Sequence, residues 1–121
     1  MDRIALELRW LQLTRRLLPD EAAAREWPVR LDHCFQRILL DNACGCCWYD
    51  VIAGRPAYRR AADEVLARAV GYGEAVLCGV ADLHQLNARS LAWRDKADRD
   101  ERFRATAAGR GSVTAPGRAS A

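Results

Sequence analysis

At 121 residues and 13.5 kDa, with 50% hydrophobic and 29% charged residues, the chain is one domain in size and long enough to bury a core without staples. That composition excludes collagen-like, wholly disordered and disulfide-scaffold classes. The net charge of +3 is unevenly placed: residues 1–93 carry 12 basic and 12 acidic side chains, and the whole excess lies in 94–121. A neutral main body counts against a nucleic-acid reader, whose affinity comes chiefly from neutralising phosphates, while leaving room for one basic patch.

The first predicted helix covers about Asp2 to Leu18, which contains no Gly or Pro and much Leu. Its apolar residues form two rows, Leu6, Trp10, Leu13, Leu17 and Ile4, Leu8, Leu11, Leu18, bordering one wide arc. An arc that wide calls for contacts on more than one side, from two other helices or from a second copy. Pro19-Asp20 is expected to end this helix, with Asp20 capping a short one through Arg25.

Trp27-Pro28 breaks the pattern, because the residue before proline is pushed out of the helical region. The next helix, about Val29 to Ala43, aligns Leu31, Cys34, Phe35, Ile38 and Leu39, and Gly45 stops it. Cys46 to Ala53 reads as a short helical turn or apolar plug. From Pro56, the four-three repeat of Tyr58, Ala62, Val65, Ala69, Tyr72 and Val76 predicts one further helix, weakened by Gly71 and Gly73 unless close packing uses their missing side chains. Asp82, with Gln85 three residues on, opens the last helix, whose inward stripe is Leu83, Leu86, Ser90, Leu91 and Trp93.

Beyond Arg94 the charged, Gly- and Ala-rich end has almost no bulky apolar residue to offset its ordering entropy. A turn or two of charged helical continuation is expected there, with disorder from about Ala105. The reading is an all-α fold: a small bundle of about four helices with short helical turns over residues 1–95, and a charged, flexible C-terminal tail over 96–121. Charges interrupt the first residues, so no signal peptide is read there, and no stretch approaches the roughly 18 apolar residues of a membrane span. The expected address is the cytoplasm, without a membrane partner and with five reduced cysteines.

Three groups of residues are candidates for chemistry. Cys44, Cys46 and Cys47, with Cys34 and His33 upstream, are the ligand types that Zn or Cu(I) prefers. The second ligand pair of a structural zinc signature is missing, however, and buried packing is the first reading of these thiols. His33, Arg37 and Asp41 stand at i, i+4 and i+8 as a polar ridge, and Asn42 falls in the middle of the apolar stripe. A buried amide must find partners, so Asp41 and Asn42 together read as a buried polar node that holds the Cys-rich loop or the Pro56 helix start. The third group is Trp48, Tyr49, Arg55 and Tyr58 around the Gly54-Arg55-Pro56 turn, where arginines and aromatic rings meet. No phosphate loop, G-x-G-x-x-G, G-x-S-x-G or H-E-x-x-H is present.

Three function readings follow. One is a non-catalytic interaction or regulatory module that binds a protein partner or forms a homo-oligomer. Another is an enzyme or ligand-binding protein with an interhelical pocket around His33, Arg37, Asp41, Asn42 and Trp48. A thiol metal site at Cys44–Cys47 is the third alternative.

Overall fold

A computed structural model describes residues 2–110, and among these residues the only regular elements are helices. In chain order they are α1 (Arg3–Gln12), a π-helical turn (Leu13–Leu17), α2 (Leu18–Ala22), α3 (Asp32–Cys44), a 3-10 turn (Trp48–Asp50), α4 (Ala57–Arg60), α5 (Asp63–Leu77) and α6 (Leu83–Arg110). The first three run on without a break, so four long helical segments build the bundle, as the periodicity implied. No helix among the described residues is long and apolar enough to cross a membrane.

α3 is the central element, packing on α5, on α6 and on the π-turn, while α5 also packs on α1. The core between them holds Trp10 and Leu13 from the first segment, Phe35, Ile38 and Leu39 from α3, and Leu66, Ala69 and Val76 from α5. Trp27 closes one end, edge-on to Phe35 with ring centroids 5.7 Å apart.

Several boundaries differ from the sequence reading, each for a physical reason. Pro19 does not end the first helix: the Leu18 amide bonds back five residues to the Leu13 carbonyl, and this widened turn carries the chain into α2, where proline sits in the first turn. Asp20 therefore lies inside α2 instead of capping a new helix. The two apolar rows are covered unequally: in the first Leu6, Trp10 and Leu13 are buried and Leu17 partly so, while in the second Leu18 is buried and Leu11 partly covered but Ile4 and Leu8 face water. Leu31 is exposed at the entry to α3 and is not part of its stripe.

The predicted helix from Tyr58 to Val76 is split into α4 and α5, because Ala61 and Ala62 are extended. Arg3 holds this break from α1, donating to the Tyr58 carbonyl (2.9 Å), the Arg59 carbonyl (3.2 Å) and the Asp63 carboxylate (2.8 Å). Those carbonyls are the ones a helix end leaves without partners. Arg25 reaches the end of α5, donating to the Leu77 carbonyl and to that of Val76, which also accepts from the Gly79 amide, and Arg68 reaches the end of α3, donating to Ala43.

At the other end, Leu91 is exposed and Trp93 only half-buried, since α6 turns Asn87 and Ser90 inward with Leu83 and Leu86. α6 also stays helical to Arg110, further than a turn or two past Arg94. The remainder of the expected tail, 111–121, lies outside the described residues.

Gly71 and Gly73 do not interrupt α5, and they differ in kind. A Cβ on Gly73 would stand 3.1 Å from Leu13 Cδ1 and 3.3 Å from Leu39 Cδ1, whereas one on Gly71 would meet nothing within 4 Å. Gly73 is thus the point of closest approach between α5 and its neighbours. Gly71→Ala is expected to raise stability by about 0.5–1 kcal/mol through the unfolded chain's lost freedom. Gly73→Val is expected to lower it by about 1–3 kcal/mol through overpacking. Thermal unfolding followed by circular dichroism should shift the two midpoints in opposite directions.

Candidate functional site: a polar seam and a cationic cleft

The seam between α3 and α6 is built by spacing. Arg37 and Asp41 lie one turn apart on α3, and Asn87, Ser90 and Arg94 recur at three and four residues on α6, so the two sets face each other along parallel stripes. Asp41 is wholly buried at the centre. Its Oδ2 accepts from the Ser90 hydroxyl at 2.6 Å and from Arg94 Nε at 2.8 Å. Its Oδ1 accepts from the Trp48 backbone amide at 2.9 Å and from Arg94 Nη2 at 3.2 Å. Four donors saturate the carboxylate, which is what a charge needs to survive out of water.

Arg37 extends the network. It donates through Nη1 to Ser90 Oγ (2.8 Å) and through Nη2 to Asn87 Oδ1 (2.9 Å). Beside it, Asn42 donates to the Ile38 and Leu86 carbonyls at 2.8 and 2.9 Å, tying α3 to α6 a second time, while its Oδ1 is left without a partner. Asp41 and Asn42 are both buried and hydrogen-bonded; Asp41 holds the turn after the cysteines through the Trp48 amide, whereas Asn42 holds α6. The ridge itself is divided: His33 is exposed, Arg37 half-buried and Asp41 buried.

Over this seam lies an open cleft of ≈ 650 Å³. It is lined by His33, Gln36, Arg37 and Leu40 from α3, Arg94 from α6, the Trp48 and Tyr49 rings, and Arg55, Pro56 and Ala57. The Arg55 guanidinium lies 5.4 Å from the Trp48 ring centroid and 5.6 Å from that of Tyr49, and the Arg94 guanidinium 4.9 Å from Tyr49. Tyr49 is thus placed between two cations.

The charges respond to this crowding. Burial, followed by the charge of Arg94, pulls the Arg37 guanidinium below its ordinary value. Burial also disfavours the charged Arg94, but hydrogen bonds to Asp41 and Tyr49 outweigh it and hold Arg94 above its ordinary value. The Arg94 hydrogen bond, with help from Arg55 and against burial, lowers the Tyr49 phenol.

Of the residues singled out from the sequence, His33, Arg37, Trp48, Tyr49 and Arg55 converge on the cleft. Asp41 and Asn42 lie beneath it, and Tyr58 packs against the core instead. Arg94, Asn87 and Gln36 were not foreseen, and Ser90 was read only as part of the inward stripe of the last helix. The available signal was the recurrence of Asn87, Ser90 and Arg94 in phase with Leu83 and Leu86.

The thiols do not gather into a metal centre: among the described residues no group of three or more His, Cys, Asp or Glu side chains is placed to hold an ion. Cys34 and His33 precede Cys44 on the same helix by ten and eleven residues, roughly 15 Å along its axis. Cys47 is buried, and burial, then Cys46 and Asp41, pushes the Cys44 thiol up to about 11. A thiol at a helix C-terminus lacks the positive field that would make it a nucleophile.

The chain matches no protein-family model, no curated protein and no solved structure.

Two expectations follow from the seam and the thiols. Asp41→Ala leaves Arg94 and the Trp48 amide without their acceptor, and is expected to cost about 3–5 kcal/mol in chemical denaturation. In native protein at neutral pH, a thiol reagent should label exposed Cys78 well ahead of Cys44 and Cys47, read by mass spectrometry of peptides at successive times.

Proposed function

We propose that the protein is a non-catalytic helical module that pairs with a second copy of itself through the outer face of α1. The observation carrying this reading is the exposure of Ile4 (74%) and Leu8 (62%), one turn apart, continued by partly covered Leu11. Burying side chains of this size returns roughly 1.5–3 kcal/mol each, so a contiguous uncovered row is a reservoir for association. Ala5, Gln12, Arg15 and Arg16 flank Leu8 and Leu11 in a shallow trough along the same face.

Charge selects a copy in antiparallel orientation. Asp2 stands at the start of α1, and Arg15 and Arg16 lie about 20 Å further along the axis. Neither arginine takes part in an ion pair among the described residues. An antiparallel two-fold pair sets each Asp2 toward the other copy's arginines and opposes the helix dipoles; a parallel pair would stack like charges. Three turns of one helix bury little area, below the ~1,200 Å² of stable complexes, so the association is weak and reversible. We assign this module to the reducing cytoplasm, in keeping with its five unpaired cysteines.

Sedimentation velocity from about 10 μM to about 1 mM should show the mass rising from monomer toward dimer, as expected for so small an interface. Leu8→Arg, at a position that contributes little to the core, should hold the protein monomeric with an unchanged unfolding curve. A monomer throughout that range, or a dimer indifferent to Leu8→Arg, overturns the reading.

A further inference from the structure

The cleft over the α3–α6 seam has features that neither the bundle nor α1 pairing requires. We infer that it binds the phosphate monoester of a small organic molecule, with the phosphate on Arg37, Arg55 and Arg94 and the organic body against Trp48 and Leu40.

Charge and donor geometry carry the first half. Three guanidiniums meet one carboxylate here, and the oxygens of that carboxylate, Asp41, already accept from four donors. The cleft therefore keeps an excess of two positive charges, which a phosphate monoester, at about −1.5 to −2 near neutral pH, balances and a carboxylate does not. Each arginine has donors to spare. Arg94 spends Nε and Nη2 on Asp41, Arg37 uses its two terminal nitrogens inward and keeps Nε, and Arg55 lies beside the Trp48 and Tyr49 rings with no carboxylate partner among the described residues. Planar forks of this kind match tetrahedral phosphate oxygens better than a lysine point charge would.

Shape carries the second half. A volume of ≈ 650 Å³ is that of a metabolite-sized ligand, far more than inorganic phosphate needs. Its apolar surface comes from Trp48, Leu40 and Pro56, with Trp48 itself 8% exposed and its backbone N–H hydrogen-bonded to Asp41. Two of the three arginines are oriented by buried partners before any ligand arrives, so binding requires ordering chiefly of Arg55.

Isothermal titration of the full chain with phenyl phosphate at low salt tests this. One site per chain with a dissociation constant of order 10⁻⁴ M is expected, with inorganic phosphate at least ~10-fold weaker and benzyl alcohol without saturable binding. Arg55→Ala, an exposed position whose guanidinium meets only the Trp48 and Tyr49 side chains, should weaken phenyl phosphate by ~10-fold or more with little change in its melting curve, while neighbouring Arg59→Ala should have no effect. Absence of saturable binding up to about 10 mM, or an Arg55→Ala protein that binds as the parent does, overturns the assignment. Equal affinity for inorganic and phenyl phosphate overturns the organic part. The Leu8→Arg protein should bind as the parent does, so this outcome is independent of α1 pairing.

Discussion

The architecture depends on one buried charge. α6 packs mainly on α3, and the centre of that contact is not a hydrophobic stripe but Asp41, closed in by Ser90, Arg94 and the Trp48 amide. A pair of this kind is weak evidence of net stability, because desolvating two charges costs several kcal/mol before their attraction returns any of it. Its contribution is to register. A stripe of leucines tolerates sliding by a turn; a carboxylate that must meet a hydroxyl, a guanidinium fork and a backbone amide does not. The same four bonds position the chain after Cys47, so one side chain sets how α6 lies and where the aromatic turn stands.

The arginines solve a related problem elsewhere. Helices that end inside a short chain leave carbonyls without partners, and glycine caps serve only some of them. Here Arg3, Arg25 and Arg68 reach from distant elements to the ends of α4, α5 and α3. Each brings a positive charge to the negative end of a helix dipole and donates to carbonyls of the last turn. The abundance of arginine over lysine in this chain is put to structural use at these three ends: a fork satisfies two carbonyls at once, as Arg3 and Arg25 do.

These long-range bonds mark where sequence reasoning succeeds and where it fails. Trp10, Leu13, Ile38, Leu39, Val65 and Ala69 could be placed in the core because helical phasing is a local property, set by 3.6 residues per turn. Asn42 stood out because an amide in that phase must be buried. The break at Ala61-Ala62 carries no local signal, since two alanines favour helix; what accompanies it is distant, Arg3, more than fifty residues earlier, donating to the Tyr58 and Arg59 carbonyls just before it. Arg94 was hidden for the opposite reason. It begins a charged run, and nothing local separates it from Arg99, which pairs one turn back with Asp95 on the solvated part of the helix. Leu91 was misplaced for the same cause: once Ser90 and Arg94 turn toward Asp41, Leu91 must point away.

The scaffold and the cleft are therefore not separable. Arg37 and Arg94 brace the α3–α6 seam with some of their nitrogens and present the rest to the cleft. Burial and, second to it, their mutual repulsion lower Arg37, and that repulsion is a cost the fold carries. An anion seated between them would relieve that repulsion, so its binding energy would strengthen the very seam that orients the site. By linkage, a ligand that binds only the folded form raises stability in proportion to RT ln(1 + [L]/Kd), about 2.7 kcal/mol at a hundred-fold excess over Kd. That gain would appear first as tighter docking of α6, the helix whose place depends on Asp41 and not on a wide apolar face. In such a design the polar seam is both the least self-sufficient part of the bundle and the part most responsive to what occupies the cleft above it.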